Sequence, residues 1–302
     1  MGTAIKETRA DRLFLLCNYA FVTVALLAVT YPLLYIVSAS ISNPKLVASG
    51  EMWLWPKDIT FEGYKRVFNS RQIWNGYANT ILYTLAGTAV NLLVTLPAAY
   101  ALSRKDFVFR NFFTGMFMVT MFFGGGLVPT YLLVKELGMI NTMWALIIPS
   151  AASIWNIVVT RTFFQSAIPT ELQEAAQMDG CTNLRLFIRI VLPLSLPIIA
   201  VMALFYGVGH WNSYFSALIY LNDSGKYPLQ LVLRQILVLQ EMSAQGGTMV
   251  DAATATAANT KAEIAALVKY AVIIVSTLPV IAVYPFLQRY FVQGVLIGSL
   301  KG

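Results

Sequence analysis

Charge is what this sequence has least of. Only 12% of its 302 residues are Asp, Glu, Lys or Arg, while 58% are hydrophobic; soluble globular domains carry roughly 25% charge. The 21 basic and 14 acidic side chains are too few to cover a water-soluble fold of this length, which leaves about a quarter of the unfolded chain's surface exposed. Histidine occurs once and cysteine twice. Cys17 lies in an apolar run and Cys181 in a distant polar stretch, so no disulfide framework and no metal site follows. No Gly-x-x-x-x-Gly-Lys-Ser/Thr phosphate loop and no Gly-x-Ser-x-Gly elbow is present, which excludes ATP hydrolysis by this chain at motif level and leaves no catalytic residue to name. The net charge of +7 is dispersed in ones and twos between apolar runs, which argues against nucleic acid as a partner and for topology determinants flanking membrane spans.

What the sequence has in abundance is long apolar stretches. About 20 mostly apolar residues cross a bilayer as a helix, and six windows satisfy that length: 13–38, 75–103, 112–134, 142–160, 191–221 and 267–288. The predicted fold is therefore all-α, a polytopic membrane protein with about six transmembrane helices. Residues 1–12 form an N-terminal segment and 13–302 a single transmembrane domain. The first apolar run is longer than the 7 to 15 residues of a signal-peptide core, so it reads as a retained helix. Six crossings place both termini on one side. The short connector 104–111 carries Arg104, Lys105 and Arg110, against Lys135 alone in 135–141, and this bias puts the termini in the cytoplasm.

Every window contains proline: Pro32, Pro97, Pro129, Pro149, Pro193, Pro197, Pro279 and Pro285. Proline removes a backbone donor and kinks a helix, and either a bundle that bends as it works or the ordinary tolerance of membrane helices accounts for them. Gly124-Gly125-Gly126 strips the third window of side-chain packing at one level. Apart from Lys269, no window contains Asp, Glu, Lys or Arg. Ion-coupled carriers use intramembrane titratable groups, so an ion-coupled secondary transporter is the disfavoured alternative, and an energy source outside this chain is expected.

The stretch between the fourth and fifth windows, 161–190, carries the strongest local signal. Thr170 and Gln173 have capping-box spacing, Glu171 and Glu174 are expected in the first turn where the helix dipole favours negative charge, and Gly180 suits a left-handed stop. This predicts a helix of about nine residues, with a second one from about Asn183. So short a helix is marginal alone. Ala175 and Ala176 offer a small-residue face, with Leu172 and Met178 as anchors, for a protein partner.

Glu174-Ala175-Ala176, Gly180, Ile190 and Leu192-Pro193 together match the spacing E-A-A-x3-G-x9-I-x-L-P, and on these residues the chain resembles the inner-membrane permeases of binding-protein-dependent ABC importers. It is similar in particular to the second permease subunit of maltose-type importers, which the closing run 291–302 resembles. The segments 122–131 and 283–288 resemble permeases for oligosaccharides from larger polysaccharides, including alginate-type uronates.

The resemblance implies a type I importer permease fold in a bacterial inner membrane and a heterodimer with a second, homologous permease. It also implies two cytoplasmic ATPase subunits that hold ATP and magnesium, a solute-binding protein outside, and an oligosaccharide substrate. No cofactor is implied in this chain. Glu174, Ala175, Ala176, Asp179 and Gly180 carry over as the helix that docks on an ATPase. Gly298, Ser299 and Lys301 carry over as a tail that reaches between the ATPases. Tyr206, His210, Trp211, Asn212 and Tyr214 combine aromatic faces with hydrogen-bonding groups and read either as a sugar pathway or, by the weightier reading, as an aromatic belt at the outer interface.

Overall fold

In the computed structural model, residues 8–245, 268–283 and 285 are described. Every regular element among them is helical. The chain divides into two compact units, Met1–Ser70 with Gln235–Thr277, and Arg71–Arg234 with Leu278–Gly302.

In the first unit, α1 (Arg9–Ser40) opens with a reciprocal cap: Thr8 Oγ accepts from the Asp11 backbone N–H while the Asp11 carboxylate accepts from that of Thr8. Two donors left over at a helix start are thereby satisfied. Only Ser38, Ala39 and Ser40 of α1 are buried, and the apolar remainder suits lipid or a partner rather than water. The small residues at the end admit close neighbours. Ser38 Oγ donates to the Leu54 carbonyl at 2.6 Å, and Ser40 Oγ and Tyr64 Oη lie 2.9 Å apart. The segment between the first two predicted spans forms α2 (Pro44–Ala48) and α3 (Glu62–Asn69).

The second unit is organised by α4 (Arg71–Ser103), which runs unbroken through Pro97. Its buried residues Ile73, Gly76, Thr80, Tyr83, Gly87, Asn91, Thr95 and Ala99 recur every three or four positions, so one stripe of small and polar side chains faces the unit's interior. After it come α5 (Arg110–Phe122), α6 (Leu127–Glu136), α7 (Trp144–Ile147), α8 (Ile154–Ala167), α9 (Thr170–Met178), α10 (Asn183–Leu186), α11 (Leu192–Leu194), α12 (Leu196–Trp211), α13 (Phe215–Tyr220) and α14 (Leu229–Gln245). The apolar helix α15 (Val268–Val283) closes the described chain.

Of the six expected spans, those over 13–38 and 75–103 fall on the single long helices α1 and α4, and the one over 267–288 is described only at α15 and residue 285. Three windows expected as continuous helices are bent instead, by 111° between α5 and α6, 52° between α7 and α8, and 81° before α12. Each break falls on residues that weaken a helix. Gly124 to Gly126 separate α5 from α6, and Gly126 takes φ +84°, a conformation nearly free only for glycine. Pro149 precedes the second bend, and Pro193 and Pro197 flank Ser195 at the third. Proline thus marks two of the three breaks and is absorbed in α1 and α4.

The largest core packs Leu96, Ala99 and Tyr100 of α4 against Ile157 and Phe164 of α8, and Ile198, Met202 and Tyr206 of α12. Within it Thr95 Oγ1 and Tyr206 Oη are 2.6 Å apart and buried. Tyr206→Phe is expected to cost about 1 kcal/mol, because it orphans the threonine hydroxyl. Thr95→Val combined with Tyr206→Phe should cost less than the sum of the two, as a double-mutant cycle by thermal unfolding would measure.

Candidate functional site

The chain leaves α8 at Ile168, and Pro169 resets it: with φ −60° and ψ 143° it is the N-cap of α9. The expected capping box is not formed. Proline has no side-chain oxygen to cap with, and Thr170 already has helical backbone, so its hydroxyl meets Lys105 Nζ at 3.4 Å instead of a backbone donor. Glu171 is in the first turn; Glu174 lies a turn further on.

The far end of α9 follows the expected left-handed stop. Gly180 has φ +71°, the Gly180 N–H donates to the Gln177 carbonyl, and the Cys181 N–H donates to that of Ala176 at 2.9 Å. These two bonds satisfy carbonyls that a helix end otherwise leaves unpaired. Thr182 then caps α10, its Oγ accepting from the Arg185 N–H at 3.4 Å. The backbone widens into a π turn over Phe187–Val191 just before Pro193, which relieves the clash between a proline ring and the preceding turn.

The expected small-residue face is divided by helix geometry. Ala176 is buried, and half-buried Leu172 packs against the same core, so these two residues anchor α9 to its own chain. Glu171, Glu174, Ala175 and Met178 are exposed, Met178 at 89%, as are Asp179 and Gly180 in the turn. The outward surface is acidic with one apolar tip.

Behind α9 stands a rigid post. Arg104 is buried; its Nε donates to Asp106 Oδ1 at 2.7 Å, a second N–H to Oδ2 at 2.5 Å, and a third to Tyr100 Oη at 2.9 Å. Tyr100 stacks on Phe187 at 5.0 Å, which ties the end of α4 to the π turn. The Asp106 hydrogen bonds push the Arg104 guanidinium above its ordinary range, against the opposing effect of burial, and the same bonds hold the Asp106 carboxylate below its own. Asp106→Asn leaves a buried cation without its anion and is expected to cost about 1–3 kcal/mol. Because the folded carboxylate titrates low, the pair's contribution is full above about pH 4 and is lost as pH falls through the lowered value. Wild-type and variant melting curves should therefore converge in acid.

The five residues of the expected pathway do not form one cluster. Tyr206 faces Thr95, and His210 Nε2 lies 2.6 Å from Asn91 Oδ1. Asn91 Nδ2 donates to the carbonyls of Ser150 and Ala151 at 2.6 and 2.9 Å, which fixes its amide and makes Nε2–H of His210 the donor. Buried Trp211 meets Tyr77 edge-on at 6.3 Å. Asn212 bonds the Val208 carbonyl of its own helix, and Tyr214 carries Arg234 over its ring at 5.4 Å. Trp211 also borders a largely apolar cleft of about 400 Å³ between α4, α12 and the end of α15. Into it point Thr84 and Thr88, whose hydroxyls have no hydrogen-bond partner among the described residues.

The sequence reading missed Asn79, Thr80, Tyr83, Asn91 and Thr95. Asn79 Nδ2 donates to the Gly225 carbonyl at 2.8 Å, Tyr83 Oη to that of Lys226 at 2.9 Å, and Thr80 Oγ1 accepts from the Leu229 N–H at 2.8 Å. The three- and four-residue spacing of Thr80, Tyr83, Gly87, Asn91 and Thr95 inside an apolar window was the available signal. Gly298, Ser299 and Lys301 lie outside the described residues, as do Tyr284, Phe286, Leu287 and Gln288 of the 283–288 segment.

A family profile described as "Binding-protein-dependent transport system inner membrane component" matches residues 1–297. Protein LplC of Bacillus subtilis (strain 168) is 42% identical over 296 residues, 98% of this chain and 97% of that protein. The polygalacturonan/rhamnogalacturonan transport system permease protein YtcP of the same organism is 39% identical over 292 residues, 97% of this chain and 99% of that one. Among solved structures, a bacterial ABC transporter involved in the import of the acidic polysaccharide alginate contains a chain matching at TM-score 0.84 and 34% identity, over 95% of this chain and 100% of that one.

Proposed function

The chain belongs to the binding-protein-dependent transport system inner membrane components, and from that premise we propose that it imports oligosaccharides released from acidic polysaccharides, as the permease half of an ATP-driven importer. The family makes it one inner-membrane part of a larger transport system that includes a binding protein. Its partners in our reading are a second, homologous permease, two ATPase subunits that bind ATP and magnesium on the cytoplasmic side, and an external solute-binding protein. Both termini lie in the cytoplasm.

Glu174, Ala175, Asp179 and Gly180 form the docking surface for one ATPase, with Ala176 holding that surface to the permease. The tail residues Gly298, Ser299 and Lys301 make a second contact with the ATPases. The observation that carries this reading is the short α9, anchored from behind, ended by left-handed Gly180 and presenting an acidic face with exposed Met178. Movement imposed there passes through the π turn and the Phe187–Tyr100 stack to α4, and the bent helices respond by alternating access.

In this reading the sugar passes beside Trp211, while Tyr206 and His210, engaged by Thr95 and Asn91, hold that wall from within the helix packing. The cleft beside Trp211, with the unpartnered Thr84 and Thr88 hydroxyls, supports that side of α12 as the pathway wall. The acidic polysaccharides named for the permease YtcP and the alginate importer support a uronate-containing substrate. Reconstitution of all subunits in liposomes tests the reading. Uptake of oligogalacturonate or oligoalginate should require ATP, magnesium and the ATPases and should survive an ionophore. Uptake that persists without the ATPases and collapses with the ion gradient would establish a secondary carrier instead.

A further inference from the structure

Beside the start of α9 lies a polar pocket of about 300 Å³ that the docking surface does not use. Lys105 enters it from the α4–α5 turn, Arg110 and Asn111 from the first turn of α5, Arg161 and Gln165 from α8, and Thr170 from the first residue of α9. Three cations on separate elements converge there, and no carboxylate lines the cavity. Their hydrogen bonds among the described residues go to neutral oxygens: Lys105 Nζ to Thr170 Oγ1 at 3.4 Å, Arg110 to the Arg104 carbonyl at 3.5 Å, and Arg161 Nε to the Leu102 carbonyl at 3.1 Å. Asp106, the acid next in sequence to Lys105, is engaged by Arg104.

Like charges gathered in a partly enclosed cavity repel one another, and the repulsion is relieved by an anion. Two guanidinium groups, an ammonium, three amides and two hydroxyls line the cavity; they supply more donors than one carboxylate accepts, and they suit the several oxygens of a phosphate. The pocket's depth in the molecule indicates the source of that phosphate. Arg161 bonds the carbonyl of Leu102, one residue before α4 ends, and itself follows the apolar window 142–160, so the cations sit where two apolar stretches finish, the level expected of lipid headgroups. Next to them Val108, Phe109 and Phe112 expose apolar side chains, at 86%, 63% and 66%, a surface on which acyl chains can lie. Basic residues that act only as topology determinants need no common cavity; these share one.

We propose that this pocket binds the phosphate of an anionic membrane phospholipid against the first residue of the helix that docks the ATPase. The headgroup replaces the long Lys105–Thr170 contact, meets the positive end of the α9 dipole, and fixes the angle at which α9 leaves the membrane surface. The proposal rests on the membrane reading of α4 and α8 and is independent of the sugar transported.

Native mass spectrometry of the assembled importer, exchanged into nanodiscs of phosphatidylcholine mixed with phosphatidylglycerol, tests it. Wild type should retain phosphatidylglycerol well above its share in the disc, and Lys105→Gln with Arg110→Gln should cut that retention about tenfold. Lys45→Gln with Lys57→Gln, an equal loss of charge remote in sequence, should leave it unchanged. No enrichment of the anionic lipid on wild type overturns the proposal, a result that needs no variant to fold. So does an equal loss in the control pair. Adding inorganic phosphate separates the sources: binding of free phosphate with no lipid retained would make this a soluble-anion site and overturn the lipid assignment.

Discussion

Gly180→Val is expected to reduce ATP-driven uptake at least tenfold while leaving the membrane helices folded. Gly180 has φ +71°, and a Cβ built there would have nothing within 4 Å, so the penalty is conformational and not steric. An ordinary L-residue in the left-handed region costs about 1–2 kcal/mol, and a β-branched one more. The turn cannot relax into right-handed backbone without giving up the hydrogen bonds from Gly180 and Cys181 that close the end of α9. A helix of nine residues has little stability of its own to absorb that loss. The docking face would remain chemically intact but misdirected. Asparagine tolerates left-handed backbone far better than valine, so Gly180→Asn should keep most of the activity and Gly180→Ala should fall between the two. Co-purification of the ATPase and uptake into membrane vesicles should follow the same order. Equal damage by Asn and Val would mean that any side chain at this position blocks docking, and normal coupling by the valine variant would remove Gly180 from the coupling machinery.

The signals for α9 were legible because they are local. Proline at 169, acid at 171, glycine at 180 and threonine at 182 each act within a turn of the backbone they control, and the helix has the length those residues predict. Only the start was misassigned, since the capping-box spacing of Thr170 and Gln173 reads the same whether the threonine stands before the helix or inside it. The bent spans were less legible for a different reason. A window of about 20 residues averages composition, and Phe122-Phe123 or Ile147-Ile148 stays apolar whatever the backbone does next. The glycines at 124–126 and the prolines at 149, 193 and 197 held the information, but proline inside α1 and α4 shows that the residue alone does not decide between a break and a continuous helix. Helix α14 falls outside all six apolar windows, although its first residues Leu229, Leu231 and Val232 are buried.

Least legible was the polar stripe of α4. Asn91 and His210 are 119 residues apart in sequence, and nothing around either one names the other. The sequence places the lone histidine only in the aromatic run 206–214, which does not tell a packed residue from a pathway one. Its place as donor to an amide that is itself fixed by two backbone carbonyls makes it a structural tie between α4, α12 and the bend before α8.

The closeness of that tie can be tested at a glycine. A Cβ on Gly87 would lie 2.4 Å from His210 Nε2 and 2.5 Å from Cε1, far inside contact distance. Gly87→Ala must therefore move the imidazole, and the imidazole cannot move without releasing the 2.6 Å bond to Asn91. Overpacking of a tight core costs about 1–3 kcal/mol, and the orphaned Asn91 oxygen adds about 1–3 kcal/mol more. The variant is expected to lose roughly 2–6 kcal/mol in all, read as a lower midpoint for thermal or denaturant unfolding of the detergent-solubilised protein. His210→Ala alone should lose only the hydrogen-bond part. In the His210→Ala background the added methyl has free space to enter, so Gly87→Ala should then cost almost nothing, and the double variant should be more stable than Gly87→Ala by itself. A non-additivity of that sign and size ties the damage to the histidine ring. Additive losses would mean that Gly87 serves the close approach of the helix backbones independently of His210.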